Sequence, residues 1–179
     1  MRHGKPVLAK TDWITPIEIE GWIDLYNCSE VATDGAPISS LQFVNTSTCI
    51  VASTARRALS SVQALGLSVS VTDKVFCEAQ LPYPLWRFPR LPAFVWAAFF
   101  RLCWFFGYSQ GAESILAAKD RARVAAKKLI MLAANGPVLL VGHGIMNRLI
   151  AKELVVLGWV SSAKHESKYW STNVYQLQP

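Results

Sequence analysis

The stretch Val138-Leu139-Leu140-Val141-Gly142-His143-Gly144 decides the fold class that the sequence predicts. Its first four residues are apolar, which is typical of a strand buried on both faces of a sheet. The glycines beside His143 interrupt this strand, and a helix is predicted over residues 145–157, with Gly158 as its end. A buried strand that leads directly into a helix is the basic unit of an α/β protein.

A second unit of the same kind lies earlier in the chain. Cys49-Ile50-Val51-Ala52 predicts another buried strand, Ser53 and Thr54 interrupt it, and a helix is predicted over residues 55–65. Weaker patterns predict the remaining elements. They are a helix that begins at Thr15-Pro16-Ile17-Glu18, a loop at Asp34-Gly35-Ala36-Pro37, a strand over residues 69–75, a long helix opened by Gly111-Ala112-Glu113-Ser114 that ends at Asn135-Gly136-Pro137, and a last strand over residues 173–177. We therefore predict a single α/β domain, residues 1–179, with three layers: a largely parallel central sheet and helices on both faces.

Composition limits the classes of function. With 52% hydrophobic and 17% charged residues, the chain is globular rather than disordered. The net charge of +6 suggests an anionic partner, but the basic residues are dispersed and no nucleic-acid motif accompanies them. They are Arg2, Lys5, Lys10, Arg56, Arg57, Arg87, Arg90, Arg101 and those of the helix between Lys119 and Lys128. A phosphorylated small molecule is therefore a better candidate partner than DNA or RNA.

The four cysteines, Cys28, Cys49, Cys77 and Cys103, are far apart in the chain. No paired spacing suggests a zinc site or a disulfide framework, so we expect a reducing compartment and no bound metal. The first residues are polar and do not resemble a signal peptide. We therefore expect a cytoplasmic protein.

Proline and aromatic residues dominate residues 82–108. Four prolines, Pro82, Pro84, Pro89 and Pro92, precede or interrupt an aromatic run. Its uninterrupted part, residues 93–106, is shorter than the roughly 20 residues that a bilayer span requires, and it contains Arg101. Two interpretations remain open: residues 82–108 form an inserted cap or lid, or the aromatic segment 91–106 docks on a membrane surface or a partner.

Arg2-His3-Gly4 combines three residue types that are suited to phosphate chemistry. A neutral imidazole can attack phosphorus, a guanidinium can hold two phosphate oxygens, and glycine lets the backbone approach closely. His143 and Arg57 each follow a predicted strand. Because open α/β sheets bind ligands at the carboxyl ends of their strands, we expect these side chains to converge.

On these residues the chain resembles the histidine phosphatase superfamily, the phosphoglycerate mutase-like proteins. Arg2-His3-Gly4 is similar to the family's signature, and residues 53–58 are similar to its serine-x-x-x-arginine-alanine element, which ends in Arg57-Ala58. Glu78 stands where the family has its acid, and Gly142-His143-Gly144 resembles the second histidine motif. The resemblance covers nearly the whole chain except the aromatic insert.

The resemblance implies a mechanism. His3 would be the nucleophile that forms a phosphohistidine, and Arg2, Arg57 and His143 would bind the phosphate. Glu78 would protonate the leaving oxygen and then deprotonate the water that hydrolyses the intermediate. The catalytic residues would thus be His3, Glu78 and His143, with no metal and no cofactor. The substrate would be a phosphomonoester. The aromatic segment suggests either an apolar portion in this substrate or a closing lid.

The chain departs from the family's pattern in three places. Many members have an asparagine shortly after the glycine, whereas this chain has Val7-Leu8-Ala9. The arginine-tyrosine stretch that mutases have after the glutamate is replaced by the apolar residues 79–86, which favours a phosphatase over a phosphoglycerate-type mutase. A non-catalytic or membrane-peripheral binding protein is a further alternative. A fifth, minor match, Gly111-Ala112-Glu113-Ser114 with Arg121, indicates a helix start rather than chemistry.

The third departure concerns the strand that precedes the signature in the family. The resemblance implies a central strand leading into Arg2, because loss of such a strand would expose backbone hydrogen-bonding groups and empty part of the core. We therefore expect Met1 to be an internal methionine at the end of that strand.

Overall fold

The structure is a computed structural model that describes residues 1–7, 13–32, 36–44, 46–161 and 163–177. Its helices are α1 (Ile19–Cys28), α2 (Ile38–Leu41), α3 (Arg56–Ala64), α4 (Ala93–Phe105), α5 (Ile115–Ala133) and α6 (Gly144–Val156). Its strands are β1 (Trp13–Ile14), β2 (Cys49–Ala52), β3 (Val71–Thr72), β4 (Leu91–Pro92), β5 (Val138–Val141), β6 (Trp159–Val160) and β7 (Gln176–Leu177). Short 3₁₀ helices cover Pro16–Glu18 and Lys74–Phe76.

The central sheet has the order β3-β2-β5, and both of its strand pairs are parallel. The register of β2 and β5 runs from Cys49 opposite Val138 to Ala52 opposite Val141, so the two strands end level with each other. Each strand is followed at once by a helix, α3 after β2 and α6 after β5. Both strand–helix units predicted from the sequence are therefore confirmed.

Helices cover both faces of this sheet. Ile50 and Leu139 share one cluster with Val62 of α3. Val51 points to the opposite face and packs with residues of α5 and α6, among them Ala122 and Met146. Alternate residues of one strand thus enter different layers, as the period of a β-strand requires. The predicted three-layer α/β fold with a parallel central sheet is confirmed.

The first residues lie beside the end of β5. The backbone N–H of His3 donates to the carbonyl of Gly142 at 3.0 Å, and the N–H of Gly142 donates to the carbonyl of Met1 at 3.0 Å. On the other side, Arg2 exchanges backbone hydrogen bonds with Trp170 and Ser171. This pairing brings His3 to the carboxyl end of the sheet.

The aromatic segment contains helix α4, which packs against α1. Trp96 and Phe100 of α4 form a buried cluster with Ile19 of α1, and Trp96 Nε1 donates to the carbonyl of Ile14 at 2.9 Å. β1 and β4 pair in antiparallel fashion beside them. Among the described residues, no helix combines the length and apolarity that a membrane crossing requires.

Two predicted strands are shorter in the structure. The strand predicted over residues 69–75 is limited to β3, because the Asp73 carboxylate accepts from the Val75 N–H at 2.9 Å and starts a 3₁₀ turn. The last strand is limited to β7, which pairs antiparallel with β6. Asp34 and Gly35 of the predicted loop lie outside the described residues, as do Leu8 and Ala9, two of the three residues where the asparagine was sought.

Candidate active site

His3 lies in the interior, with 2% of its surface exposed. Its Nδ1 is 2.7 Å from the carbonyl of Gly4, so Nδ1 carries the proton and donates, and Nε2 keeps its lone pair. Burial, assisted by His143 and the charges of Arg57 and Arg2, lowers the pKa of His3 to about 3. The ring is therefore neutral near pH 7, which is the form that can attack phosphorus.

Gly4 and Ser61 fix the backbone around His3. The Gly4 N–H donates to the Ser61 hydroxyl at 2.9 Å, and that hydroxyl donates to the carbonyl of Arg57 at 2.6 Å. A Cβ at residue 4 would lie 2.4 Å from the ring of Trp170, so glycine is required there. Ser61 had no signal in the sequence that separated it from other helix residues.

His143 lies directly before α6 and is completely buried. Its ring meets that of His3 at a centroid distance of 5.1 Å and an angle of 62°. Its Nε2 is 2.6 Å from the Ser53 hydroxyl. Burial and the neighbouring positive charges of Arg57 and Arg2 hold the pKa of His143 well below its ordinary value. When the Ser53 hydroxyl donates to Nε2, Nδ1 carries the proton.

Asn147 connects the two histidine-bearing segments. Its side-chain oxygen accepts from the His143 N–H at 3.2 Å, and its Nδ2 donates to the carbonyl of Met1 at 3.0 Å. A Cβ at Gly142 would lie 2.3 Å from the Asn147 oxygen, so this close contact depends on glycine. The sequence analysis missed Asn147, although a polar residue one helical turn after His143 was a usable signal.

Arg57, in the first turn of α3, is 3% exposed. One of its terminal nitrogens donates to Asn27 Oδ1 at 3.0 Å and to the carbonyl of Tyr26 at 3.3 Å. Its Cζ lies 4.7 Å from the centre of the Tyr26 ring. Burial lowers the pKa of Arg57 from its ordinary value. Its neighbour Arg56 is exposed.

Arg2 lies under Tyr169. The Arg2 Cζ is 4.2 Å from the centre of the Tyr169 ring, and one terminal nitrogen donates to the carbonyl of Ser167. The same tyrosine ring lies 5.7 Å from the ring of His3. Tyr169 therefore covers both the nucleophile candidate and one of its arginines. No sequence pattern indicated this tyrosine.

Glu78 is anchored at the start of α6. Its carboxylate accepts from the backbone N–H groups of Met146 at 2.9 Å, Ala79 at 3.0 Å and Ile145 at 3.2 Å. The N-terminal end of a helix favours negative charge, so α6 fixes the orientation of this carboxylate. α6 thus connects Glu78 with His143, which immediately precedes the helix.

Arg121 of α5 holds the backbone that carries Glu78. It donates to the carbonyls of Val75 at 3.0 Å and Cys77 at 2.7 Å, and it forms an ion pair with Glu113. Ser114 caps α5 by accepting from the Ala117 N–H at 3.1 Å. The minor sequence match at residues 111–114 and Arg121 is thus a helix start whose arginine positions the segment with the acid.

A cleft of about 1110 Å³ opens beside these residues. Arg2, Arg57, Glu78 and Tyr169 border it, whereas the rings of both active-site histidines are buried behind them. Across the parts of the chain that the structure describes, no group of three His, Cys, Asp or Glu residues is arranged to hold a metal ion.

Three buried polar atoms around His3 have no hydrogen-bond partner among the described residues: Arg2 Nε, Arg57 Nε and His143 Nδ1. Arg2 Nε and Arg57 Nε are donors in every protonation state, and His143 Nδ1 is a donor in the tautomer described above. Buried donors without acceptors are costly, so their presence here needs an explanation. Acceptor oxygens of a bound anion are the kind of partner that such donors lack. The structure thus brings together His3, His143, Arg2 and Arg57, with Glu78 at the edge of the same cleft.

Several mycobacterial proteins of known structure have the same fold. The protein of open reading frame Rv3214 from Mycobacterium tuberculosis matches with a TM-score of 0.59 at 16% identity, over 98% of this chain and 93% of its own. The mycobacterial glucosyl-3-phosphoglycerate phosphatase Rv2419c matches with a TM-score of 0.54 at 19% identity, over 87% and 77%. A protein named mycobacterial hydrolase 1 matches with a TM-score of 0.58 at 17% identity, over 99% and 94%.

The sequence itself matches no known family and no curated protein. At identities below 20%, the structural matches show the fold alone. That fold is consistent with the phosphoglycerate mutase-like architecture that the sequence resemblance implies.

Proposed function

We propose that this protein is a phosphatase that hydrolyses a phosphomonoester through a phosphohistidine on His3. The observation that carries the proposal is the set of three buried nitrogens without partners, on Arg2, Arg57 and His143, around a neutral imidazole. A phosphoryl group supplies the acceptor oxygens that these nitrogens lack. The fixed positive charges would stabilise the negative charge of the transition state.

The reaction has two steps. His3 Nε2 attacks phosphorus, the bond from phosphorus to the ester oxygen breaks, and Glu78 gives a proton to the leaving oxygen in those molecules in which its carboxyl group is protonated. Glu78 then takes a proton from a water molecule that attacks the phosphohistidine. The phosphorus–nitrogen bond breaks, its electron pair returns to Nε2, and inorganic phosphate leaves. Glu78 ends the cycle protonated, as it began.

The related structures support this class of activity. One neighbour is named as a phosphatase and another as a hydrolase, and each has this fold over most of its length. Their substrates are not transferred to this chain, because below 20% identity the residues around the leaving group are free to differ.

Residues 82–108 act as the cap of this site in our proposal. Phe94, Ala97 and Arg101 of α4 border the cleft, so this helix forms its outer wall. The partner is then a phosphorylated small molecule that enters between α1 and α4.

A screen over small phosphomonoesters tests the proposal, with release of inorganic phosphate as the readout. Wild-type protein should release phosphate from at least one ester, and His3→Ala should lose this activity by several orders of magnitude. His165→Ala is the matched control, because His165 is not among the residues that border the cleft and should be dispensable. Equal activity of the wild type and His3→Ala would contradict the proposal.

A second candidate function, docking on an anionic membrane surface, is favoured by one observation. Apolar side chains on α4 are 44–56% exposed: Phe94, Val95, Phe99, Leu102 and Phe105. The net charge of +6 would add attraction to anionic lipids. Co-sedimentation with vesicles that contain phosphatidylserine tests this candidate. If the protein docks on such membranes, the wild type should bind the vesicles and Leu102→Ser should clearly lose this binding.

A further inference from the structure

We infer that the cleft binds the alcohol part of its substrate on a row of aromatic rings, and that this part contains a planar apolar group. The aromatic row consists of Tyr26 and Trp22 of α1 and Phe94 of α4, all of which border the cleft. The inference rests on the proposed phosphatase function and specifies its class of substrate.

The aromatic row begins at the phosphate-binding candidate Arg57. The Arg57 Cζ lies 4.7 Å from the centre of the Tyr26 ring. Tyr26 is stacked on Trp22 at a centroid distance of 5.3 Å, and Trp22 meets Phe94 edge-on at 5.2 Å. A phosphate held at Arg57 would therefore place its ester group along a continuous aromatic surface.

These rings remain accessible, although the protein has a core that could bury them. Phe94 is 48% exposed, and Trp22 and Tyr26 are half-buried. Other aromatic residues of α4, such as Trp96 and Phe100, are at most 5% exposed. Exposed aromatic surface inside a concave site is available to a ligand, since ring–ring contacts add to the burial of apolar area.

One face of α4 borders the cleft. Phe94, Ala97 and Arg101 are three and four residues apart, so they lie on one side of the helix. The small Ala97 leaves space beside Phe94. Arg101 is tied down, because its guanidinium donates to the carbonyl of Ala79 at 2.7 Å and covers Trp104. The apolar part of this stripe thus consists of Phe94 and Ala97, with the anchored Arg101 at its end.

Charged side chains of both signs border the cleft beside the aromatic row. Glu20 and Asp24 of α1 border the cleft together with Trp22 and Tyr26. Glu20 also accepts a hydrogen bond from the Tyr83 hydroxyl on the opposite side of the cleft. Arg56, Lys74 and Arg101 also border the cleft, so the carboxylates and the cations offset one another, and the aromatic rings set the preference for the alcohol part.

A pair of alkyl phosphates isolates this effect from leaving-group chemistry. 2-Phenylethyl phosphate and propyl phosphate both release primary alcohols and differ in the ring. For the wild type we expect kcat/KM to be at least about tenfold higher for 2-phenylethyl phosphate. Phe94→Ala and Trp22→Ala should each reduce this ratio to about threefold or less. Phe106→Ala is the matched control, because Phe106 is 84% exposed and does not border the cleft, and it should keep the wild-type ratio.

The outcomes separate this inference from the proposed function. Equal kcat/KM for the two esters in the wild type would overturn the aromatic subsite and leave the phosphatase intact. Hydrolysis of neither ester, by a protein that also releases phosphate from no ester of the screen, would contradict the phosphatase. Calorimetric titration with 2-phenylethylphosphonate and propylphosphonate would then decide on the subsite alone. Tighter binding of the aromatic phosphonate would support it, and equal or undetectable binding of both would overturn it.

Discussion

The imidazole rings of His3 and His143 meet edge to face, with centroids 5.1 Å apart and planes at 62°. Both rings are buried next to Arg2 and Arg57, so a proton on either ring would add a third positive charge to a region that water does not reach. The structure therefore favours two neutral histidines between two arginines. This arrangement leaves positive charge for an anion and a lone pair for attack.

Protonation of these histidines should destabilise the fold. Above pH 6.5 both rings are mainly neutral in the folded and in the unfolded state, so protonation does not lower the free energy of unfolding. As the pH falls from 6.5 toward 3, His3 becomes protonated in the unfolded chain but stays neutral in the folded protein, because its pKa there is about 3. The free energy of unfolding should then fall by up to about 1.4 kcal/mol per pH unit for each histidine.

Urea unfolding between pH 5 and pH 6.5 measures this slope. His3→Asn should have a smaller slope than the wild type, because it removes one of the two groups, while other titrating groups contribute equally to both proteins. His165→Asn serves as the control, because His165 is only partly buried and its pKa is less strongly perturbed. A slope in His3→Asn equal to that of the wild type would contradict a buried, neutral His3.

Arg57 and Arg56 provide a matched pair of adjacent arginines. Arg57 is 3% exposed and its Nε is without a partner among the described residues, whereas Arg56 is exposed. We expect Arg57→Ala to lower kcat/KM by about 10²–10³-fold, because it removes a buried donor to the transferred phosphoryl group. Arg56→Ala should lower it less than about tenfold, since solvent and salt screen an exposed charge. Similar losses of kcat/KM in both variants would contradict a direct contact of Arg57 with the phosphate. They would mean that the overall positive potential of the site governs phosphate binding.

Glu78→Gln should lower kcat/KM more for esters whose leaving oxygen has to be protonated than for esters whose leaving group departs as an anion. For an alkyl phosphate, which has a poor leaving group, kcat/KM should fall by about 10²–10⁴-fold. For 4-nitrophenyl phosphate, whose phenolate leaves unprotonated, the loss in kcat/KM should stay within about tenfold. Glu153→Gln is a control of comparable burial on α6, remote from the cleft. Equal losses on both esters would show that Glu78 holds the structure of the site and transfers no proton.

The sequence predicted the framework of the site because its signals are local. The apolar runs of β2 and β5 identify buried strands, and the glycines around His143 mark the end of β5. Since parallel strands end at the same edge of a sheet, the convergence of His143 and Arg57 followed from these strands. The short lengths of β3 and β7 were not predictable in this way, because Asp73 and the pairing with β6 end them through contacts.

The residues that the sequence analysis missed act across long distances in the chain. Ser61 binds Gly4, Tyr169 covers His3, and Trp22 meets Phe94 only because α1 packs against α4. No local pattern separates these residues from others of their type. The aromatic segment was recognised as unusual, but only the packing of α4 determines that Phe94 borders the cleft while Trp96 enters the core.

The most direct test of the account is to trap the covalent intermediate. Wild-type protein is mixed with an ester labelled in its phosphoryl group, quenched within one turnover in alkali, which preserves phosphohistidine, and analysed by peptide mass spectrometry. We expect one phosphoryl group on His3, absent from His3→Asn and more abundant in any variant that slows the second step. Turnover with an unmodified His3, or with label on another residue, would contradict it.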